Sequence, residues 1–485
     1  MLHEPMVDDL SALDATEQAA LVRRGAISPR ELVEAALARL ERVNPQLNAV
    51  IHAAPERALA AANSPELPDG PFRGVPFLMK DIGGAEADAP YHCGMRFLRD
   101  AGWTEREDAY LTRRFRGAGL VSLGRTNTPE LALLPTTEPE AYGPTRNPWS
   151  LAHSAGGSSG GAAAAVAAGI VPVAHASDGG GSIRGPASMC GLVGLKPTRG
   201  RNSFGPALGE RWSGLSAEFV VSRSVRDSAA LLDVTAGPMP GDPYFAPPPA
   251  KPFATAITGR PPRLRIGVLR GAPRSVETHL ECLATVDHAA TLLADLGHHV
   301  ELSHPAVLDE PESVLAFVTV VACNTAQAVE AWGQKVGRPA SQDDLEPLTW
   351  ALVERGRATR APELLAAIEY MHAFGRRLAA WWEGGFDVLV TPTQAAPPPE
   401  IGWISSTPEE PYRSFVRSAP YGVCTLPFNM SGQPAISLPL HWTQDGLPVG
   451  AQLVAGYGRE DILLAVAAQL EEAAQWSKRR PPLHT

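Results

Sequence analysis

Cysteine is scarce in this chain of 485 residues, with five copies and no C-x-x-C pair. Small secreted domains that depend on disulfides carry many more, so this usage is typical of a reducing compartment and predicts a cytoplasmic protein. The 13 His residues form no H-E-x-x-H motif and no Cys/His cluster with the spacing of metal ligands. We therefore expect neither a metal nor another cofactor.

Long hydrophobic runs and basic blocks are also missing. No stretch reaches the ~20 apolar residues of a membrane span, and the acidic N-terminus has no apolar core of a secretory signal. The 42 Lys and Arg residues form no block longer than Lys478–Arg480, and the formal net charge is −10. Neither a membrane nor a nucleic acid is therefore an expected partner.

What the chain does have is a glycine-rich centre, Gly156–Ala187, in which two serine-bearing clusters bracket an apolar run. The clusters are GGSSGG (Gly156–Gly161) and GGGS (Gly179–Ser182). Glycine at this density is costly inside regular structure, so it predicts unusual backbone angles or a close approach by another group. A short helix over Gly160–Ala168 and a buried strand over Ile170–Ala174 would bring the two clusters together.

A second notable stretch is Gly74–Lys80 (GVPFLMK), an apolar, strand-like run that ends at a lysine. An exposed ion pair at the strand end is the ordinary interpretation of such a lysine. The apolar lead-in favours another interpretation, in which Lys80 lies on the floor of a cleft. Burial there would lower the pKa of its amine, as a lysine that serves as a base requires.

Several chemistries could use the serines Ser158 and Ser182. The pattern G-x-S-x-G occurs twice, but the preceding residues 146–155 are not the β-branched strand that a nucleophile elbow needs. The phosphate-binding patterns do not match, and the attached helix and strand argue against a Ser/Gly linker. A neutral Lys80 could take a proton through one serine hydroxyl, while glycine N–H groups bind an oxyanion, and this combination favours acyl transfer.

These motifs together resemble the amidase signature family, whose members are Ser-Ser-Lys amide hydrolases. The matching stretches cover most of the chain: GVPFLMKD (74–81), GRTNTPE (124–130), GGSSGG (156–161), DGGGSIRGPA (178–187), GLVGLKPTRG (191–200) and PFNMSGQPAISLP (427–439). Within the family, the runs TTEPEAYG (136–143) and GYGRED (456–461) are most similar to amidases that open cyclic dimers of 6-aminohexanoate.

The resemblance implies a role for each reacting side chain. Ser182 would be the nucleophile that forms an acyl-enzyme. Ser158 would be the bridging serine, following a cis peptide bond from Gly157. Lys80 would be the general base and then the acid that protonates the leaving amine.

The resemblance also implies how the two loops support this chemistry. Backbone N–H groups of the second cluster would form the oxyanion hole, namely those of Gly179, Gly180, Gly181 and Ser182. Three further residues would fix the loops without reacting: Ser159, and Asp178 with Arg184 as an ion pair.

Two departures from those relatives concern the substrate pocket. Gly179 stands where cyclic-dimer hydrolases tend to carry Ala, which predicts a slightly roomier wall. The apolar run LALL, with Leu131, Leu133 and Leu134, replaces an expected polar contact and favours neutral acyl chains, aromatic amides or anilides. Cys323 lies on a helical segment that could close the pocket, although a buried apolar role is the alternative for this cysteine.

Strands alternate with helices along the chain, which predicts the α/β class. The resemblance implies a single large α/β/α domain with a central mixed β-sheet flanked by helices. We expect N-terminal helices packing on the core in 1–70, the amidase signature core in 71–240, and the remainder of the same domain in 241–485.

The predicted function is hydrolysis of small neutral amides, such as cyclic or linear 6-aminohexanoate oligomers, aryl amides or carbamates. The expected partner is this small-molecule substrate, with a homodimer left open. The alternative function is that of the subunit of a tRNA-dependent amidotransferase that releases ammonia from glutamine for a partner chain. A catalytically dead scaffold is disfavoured because Lys80, Ser158 and Ser182 are all present.

Overall fold

A computed structural model describes residues 10–484 of the chain. Its strands are β1 Val50–Ala53, β2 Pro76–Lys80, β3 Val121–Thr126, β4 Arg146–Asn147, β5 Ser150–Ser154, β6 Val173–Asp178, β7 Val193–Lys196, β8 Ala217–Ser222, β9 Arg265–Val268, β10 His299–Leu302, β11 Val388–Pro392, β12 Ala435–Trp442 and β13 Pro448–Ala455. Eleven of them form one sheet in the order β1-β3-β2-β6-β8-β7-β12-β13-β11-β9-β10, and β4 pairs with β5 separately.

Helices flank this sheet, and its pairs are both parallel and antiparallel, so the predicted α/β class with a central mixed sheet is confirmed. The α-helices are α1 Ala15–Arg23, α2 Pro29–Leu47, α3 Pro55–Asn63, α4 Arg96–Asp100, α5 Tyr110–Gly117, α6 Gly160–Ala167, α7 Arg184–Cys190, α8 Val225–Thr235, α9 Phe253–Ala256, α10 Leu280–Asp295, α11 Glu312–Val336, α12 Pro347–Ala358, α13 Ala361–Glu383, α14 Arg413–Arg417, α15 Ala419–Gly422, α16 Leu426–Ser431 and α17 Glu460–Ala474.

The strand β2 carries Lys80 into the interior. It pairs in parallel with β3 on one side and with β6 on the other. A strand between parallel neighbours is covered on both faces, which explains why its sequence is almost continuously apolar. All five residues of β2 are buried, so its last residue emerges beneath the surface rather than at it.

The glycine-rich centre folds into α6, β6 and the turn that follows. The helix Gly160–Ala167 matches the prediction, whereas the strand begins at Val173 and runs to Asp178, later than predicted. The reason is local: Ile170 still donates its N–H back to the Ala165 carbonyl at 3.0 Å, which closes the helix end. Gly169 supports this turn with φ +79°, a left-handed conformation that glycine adopts readily.

The division of the chain into 1–70, 71–240 and 241–485 stays a prediction. Strands from all three stretches pair within the same sheet: β1 joins β3, and β12 joins β7. A large apolar cluster packs around this sheet and includes side chains from all three stretches.

The 25-residue helix α11 covers the region where the site lies. Among the described helices it is the one that is long and apolar enough to cross a membrane. Its most apolar 18-residue stretch has a mean hydropathy of 1.5, and 33% of that stretch is buried. In the structure it packs along α12 and α13. Core helices of globular proteins reach the same apolarity, so this property alone is weak evidence of a membrane span.

Candidate active site

Lys80 is fully buried, and its amine contacts three serines. The Nζ atom is hydrogen-bonded to the Oγ atoms of Ser158 at 2.7 Å, Ser159 at 2.9 Å and Ser177 at 2.9 Å. The neutral amine donates two of these bonds and accepts the third from a serine hydroxyl. The exposed fraction of Lys80 is 0%. These three bonds fix the position of the amine next to the first glycine cluster.

The pKa of the buried Lys80 amine is close to neutral pH. Burial, which disfavours the charged form, and the nearby positive charge of Arg211 lower its pKa to about 7. The carboxylates of Glu218 and Asp178 oppose this decrease. A lysine with such a pKa can both accept and return a proton near neutral pH.

The first glycine cluster presents Ser158 to Lys80. The peptide bond between Gly157 and Ser158 is cis, in agreement with the resemblance. A side chain at position 157 would collide with the backbone of Thr136 at 2.5 Å, which explains the glycine there. The neighbouring Ser159 accepts from the backbone N–H of Ser177 at 3.3 Å and joins the cluster to β6.

Ser182 lies half-buried in the turn between β6 and α7 and lines the same cavity as Ser158. Its hydroxyl has no hydrogen-bond partner among residues 10–484, and the N–H groups of Gly179, Gly180 and Ser182 have no acceptor within that range. Donors without acceptors beside a free hydroxyl are what an oxyanion hole requires.

Gly181 differs from the predicted arrangement. Its N–H donates to the carboxylate of Asp178 at 2.8 Å, so it is already occupied and is not directed at an oxyanion. Gly181 has φ +135°, and a Cβ there would overlap Thr425. The glycine is thus needed for the backbone of the turn, while the free donors are those of the other three residues.

The ion pair of Asp178 and Arg184 lies beneath this turn, and both side chains are fully buried, with Nη2–Oδ1 at 2.8 Å. Burial raises the pKa of Asp178, but the charge and hydrogen bonds of Arg184 outweigh it and hold the pKa below its ordinary value. Arg184 also donates to Gln452 at 2.7 Å and to Asn429 at 2.6 Å. The pair thereby ties the turn to the opposite half of the sheet.

Replacing Arg184 by methionine should lower the free energy of unfolding by about 3–5 kcal/mol, because the Asp178 carboxylate would stay buried without its partner. Urea denaturation followed by circular dichroism measures this change. Arg184→Lys keeps the charge but loses the planar guanidinium, so its free energy of unfolding should lie between those of wild type and Arg184→Met. A loss below about 1 kcal/mol for Arg184→Met would mean that the pair does not hold the turn.

A cavity of about 640 Å³ opens over Ser158 and Ser182. Of the predicted pocket residues, Leu131 lines it. Leu133 and Leu134 pack instead in an apolar cluster around Val321. The other predicted pocket residue, Cys323, is on the side of α11 that faces α12, where its sulfur is 4.0 Å from the Gly356 carbonyl.

The cavity wall contains aromatic and charged residues that the sequence did not identify. They include Tyr91, Trp103, Trp212, Trp332, Arg211 and Glu218. Trp212 lies against Gly179, where an added Cβ would be 2.9 Å from the ring, so this ring occupies the space beside the glycine; a roomier wall than in the relatives stays a prediction. No local pattern marks these residues, because they come from loops and helices far apart in the sequence.

Similarity to known proteins extends over almost the whole chain. The family model described as Amidase matches residues 31–464. A 6-aminohexanoate-cyclic-dimer hydrolase of Paenarthrobacter ureafaciens is 45% identical over 478 residues, which is 97% of this chain and 96% of the relative. A solved structure of a 6-aminohexanoate cyclic dimer hydrolase has a TM-score of 0.95 at 44% identity, covering 98% and 99% of the two chains. A bacterial aryl acylamidase of the amidase signature family reaches 0.84 at 29% identity, covering 96% and 97%.

Proposed function

The chain belongs to the amidase family, and from this premise we propose that it hydrolyses small neutral amides through an acyl-enzyme on Ser182. It is a hydrolase of amide bonds in small molecules. The observation that carries the proposed residue roles is the buried amine of Lys80 bonded to Ser158, beside the cavity that Ser158 and Ser182 line. A base, a relay hydroxyl and a free nucleophile are the parts that this chemistry needs.

In the acylation step, Ser182 Oγ attacks the amide carbon and its proton passes to Ser158. Ser158 passes its own proton to the neutral amine of Lys80, which becomes an ammonium. The carbonyl oxygen becomes an oxyanion bound by the free N–H groups of Gly179, Gly180 and Ser182. Each such donor typically contributes about 3–4 kcal/mol to an acyl-transfer transition state.

To complete acylation, the proton returns from Lys80 through Ser158 to the nitrogen of the leaving group. The C–N bond breaks, the amine departs, and an ester to Ser182 remains. Water then attacks this ester and gives a proton through Ser158 to Lys80. Lys80 returns that proton through Ser158 to the departing Ser182 Oγ, and the acid is released. The enzyme is restored with its amine neutral, so protons balance over the cycle.

One of the two contacts of the relay is present in the structure, namely that between Lys80 and Ser158. Lys80 and Ser158 are 2.7 Å apart at Nζ and Oγ, whereas the Ser182 hydroxyl has no partner among residues 10–484. Catalytic hydrogen bonds commonly tighten only when substrate is bound. We propose that an amide seated over the turn closes the second contact.

The substrates we propose are cyclic or linear 6-aminohexanoate oligomers, aryl amides and aryl carbamates. The similarity to a cyclic-dimer hydrolase and to an aryl acylamidase supports the first two classes. The aromatic wall of the cavity, with Tyr91, Trp103 and Trp332, supports flat or extended apolar groups, since such rings bind them by stacking and apolar contact.

The test is hydrolysis by the purified chain alone of a p-nitroanilide, an aryl carbamate, cyclic and linear 6-aminohexanoate oligomers, and glutamine. Each reaction is run beside Ser182→Ala. Release from neutral amides that disappears in the variant is the expected result. Ammonia release from glutamine alone, with none of the other compounds cleaved, would contradict it and favour the amidotransferase subunit.

The pH dependence of kcat/KM provides a further prediction. Because the pKa of Lys80 is about 7 and only the neutral amine accepts a proton, kcat/KM should rise with pH through about 7 and then level off. Below that midpoint it should fall about tenfold per pH unit. A profile measured from pH 5 to 9 with a neutral anilide tests this; a profile flat down to pH 5 would contradict the role of Lys80.

A further inference from the structure

Two charged side chains, Arg211 and Glu218, line the cavity, and the mechanism above does not use them. No carboxylate lies within 4.0 Å of the Arg211 guanidinium among residues 10–484; its hydrogen bond is to the Tyr91 hydroxyl at 3.4 Å. Glu218 is 4% exposed. An arginine without an ion-pair partner and a carboxylate this deeply buried are both uncommon, so each calls for an explanation.

A buried histidine, His175, lies between Glu218 and the backbone of Lys80. The backbone N–H of Lys80 donates to Nδ1 of His175 at 3.3 Å, which leaves the proton of the neutral ring on Nε2. That nitrogen lies 3.6 Å from Glu218 Oε2. His175 is fully buried, and burial lowers its pKa, so the ring is neutral and lies between β2 and the carboxylate on β8, too far from that carboxylate for a hydrogen bond.

Arg211 is connected to the loop that directly follows Lys80. Its partner Tyr91 accepts from the backbone N–H of Gly83 at 2.8 Å. Glu218 meets the same loop, because a Cβ on Gly83 would overlap its carboxylate. Glu218 thus contacts the segment that follows Lys80, and Arg211 reaches the same segment through the Tyr91 hydroxyl.

We propose that Arg211 and Glu218 are positioning residues that act through Lys80 as two opposed charges, the guanidinium favouring its neutral amine and the carboxylate favouring its ammonium. This inference rests on the proposed function of Lys80 as the base. Lys80 is 0% and Glu218 4% exposed, and a charge acts more strongly on a buried group than on an exposed one, because less water screens it. The two charges together balance the protonation of the Lys80 amine, so that it is free to accept a proton during the reaction and basic enough to hold it.

Other charged or titratable groups also face Lys80, and their contacts differ. Asp178 on β6 is ion-paired with Arg184 at 2.8 Å. Arg125 on β3 donates to the Lys80 carbonyl at 2.8 Å and is near Glu86 at 3.8 Å. Asp81, the next residue, accepts from the N–H groups of His92 and Gly94. Each of these groups has an ion-pair or hydrogen-bond partner of its own, whereas Arg211 bonds to the neutral Tyr91 hydroxyl, Glu218 lies near the neutral His175 ring, and both line the cavity.

The experiment is the pH profile of kcat/KM for a neutral anilide with Arg211→Gln and Glu218→Gln. Arg211→Gln removes the positive charge, so the acid-side midpoint should rise by about one pH unit, and kcat/KM at pH 6 should fall about tenfold. Glu218→Gln should move the midpoint down by about one unit. A purely structural role would lower kcat without shifting the two midpoints in opposite directions.

Two controls accompany these variants. Arg211→Lys keeps the charge and should keep the wild-type midpoint. Arg270→Gln removes an exposed arginine paired with Asp287 and should leave the profile unchanged. Thermal melting verifies that each variant is folded, and Glu218→Gln alone still tests the sign if Arg211→Gln does not fold.

The outcomes separate the inference from the function on which it rests. Opposite shifts support the inference. A wild-type midpoint near 7 that neither variant moves, or that both move in one direction, overturns the inference and leaves the proposed base intact. A wild-type profile without an acid limb overturns the role of Lys80 and the inference with it.

Discussion

Ser182→Ala should abolish amide turnover, with kcat falling by about 10⁴- to 10⁶-fold. The variant lacks the oxygen that bonds to the amide carbon, so no acyl-enzyme can form. The free N–H groups of the turn remain and can still polarise a bound carbonyl, which leaves a small residual rate. Release of p-nitroaniline under saturating substrate measures this loss.

The control for Ser182→Ala is Ser159→Ala. Ser159 also contacts the Lys80 amine and is the central serine of the second G-x-S-x-G pattern, but it is not the proposed nucleophile. We expect it to reduce the rate far less. Wild-type turnover by Ser182→Ala, together with a dead Ser159→Ala, would transfer the nucleophile to Ser159.

Lys80→Met should lower kcat by about 10⁴-fold, because the relay then has no group to receive the serine proton. Methionine has a similar length and no charge, so the packing of the buried site is largely kept. Raising the pH should not restore the activity, since no titrating amine is left. Recovery at high pH would mean that hydroxide or another base can replace Lys80.

The stability of the same variant gives a second, independent result. The folded-state pKa of Lys80 is lowered from 10.5 to about 7, so between these values the unfolded chain binds a proton that the folded chain does not. Wild-type stability should therefore rise with pH from about 7 to 10.5 relative to Lys80→Met. Urea denaturation of both proteins at pH 7 and 10 measures this difference. Parallel curves would contradict a buried, neutral lysine.

The sequence predicted the centre of the fold well because that centre is built from local signals. The helix α6 follows from residues a few positions apart. The apolar run before Lys80 indicated a buried strand end, and the resemblance identified the family. The late start of β6 was missed because it depends on the N–H of Ile170 bonding back into the helix.

The cavity could not be predicted in the same way. Arg211, Glu218 and Trp332 meet there because strands and helices from distant stretches pack together, and no residue spacing encodes that meeting. The direction of the Cys323 side chain could not be predicted from its place on a helix. Successive residues of a helix are rotated by about 100°, and this rotation decides whether a side chain faces the cavity or α12. The cytoplasmic location and the oligomeric state stay predictions.

The most direct test of the acyl-enzyme is intact-mass spectrometry of the chain after mixing with a slowly hydrolysed aryl carbamate. The account predicts a mass increase equal to one carbamoyl group, and peptide mapping should locate it on Ser182. The adduct should be absent from Ser182→Ala and form slowly in Lys80→Met. An adduct on Ser159, or full turnover without any covalent intermediate, would contradict the central claim.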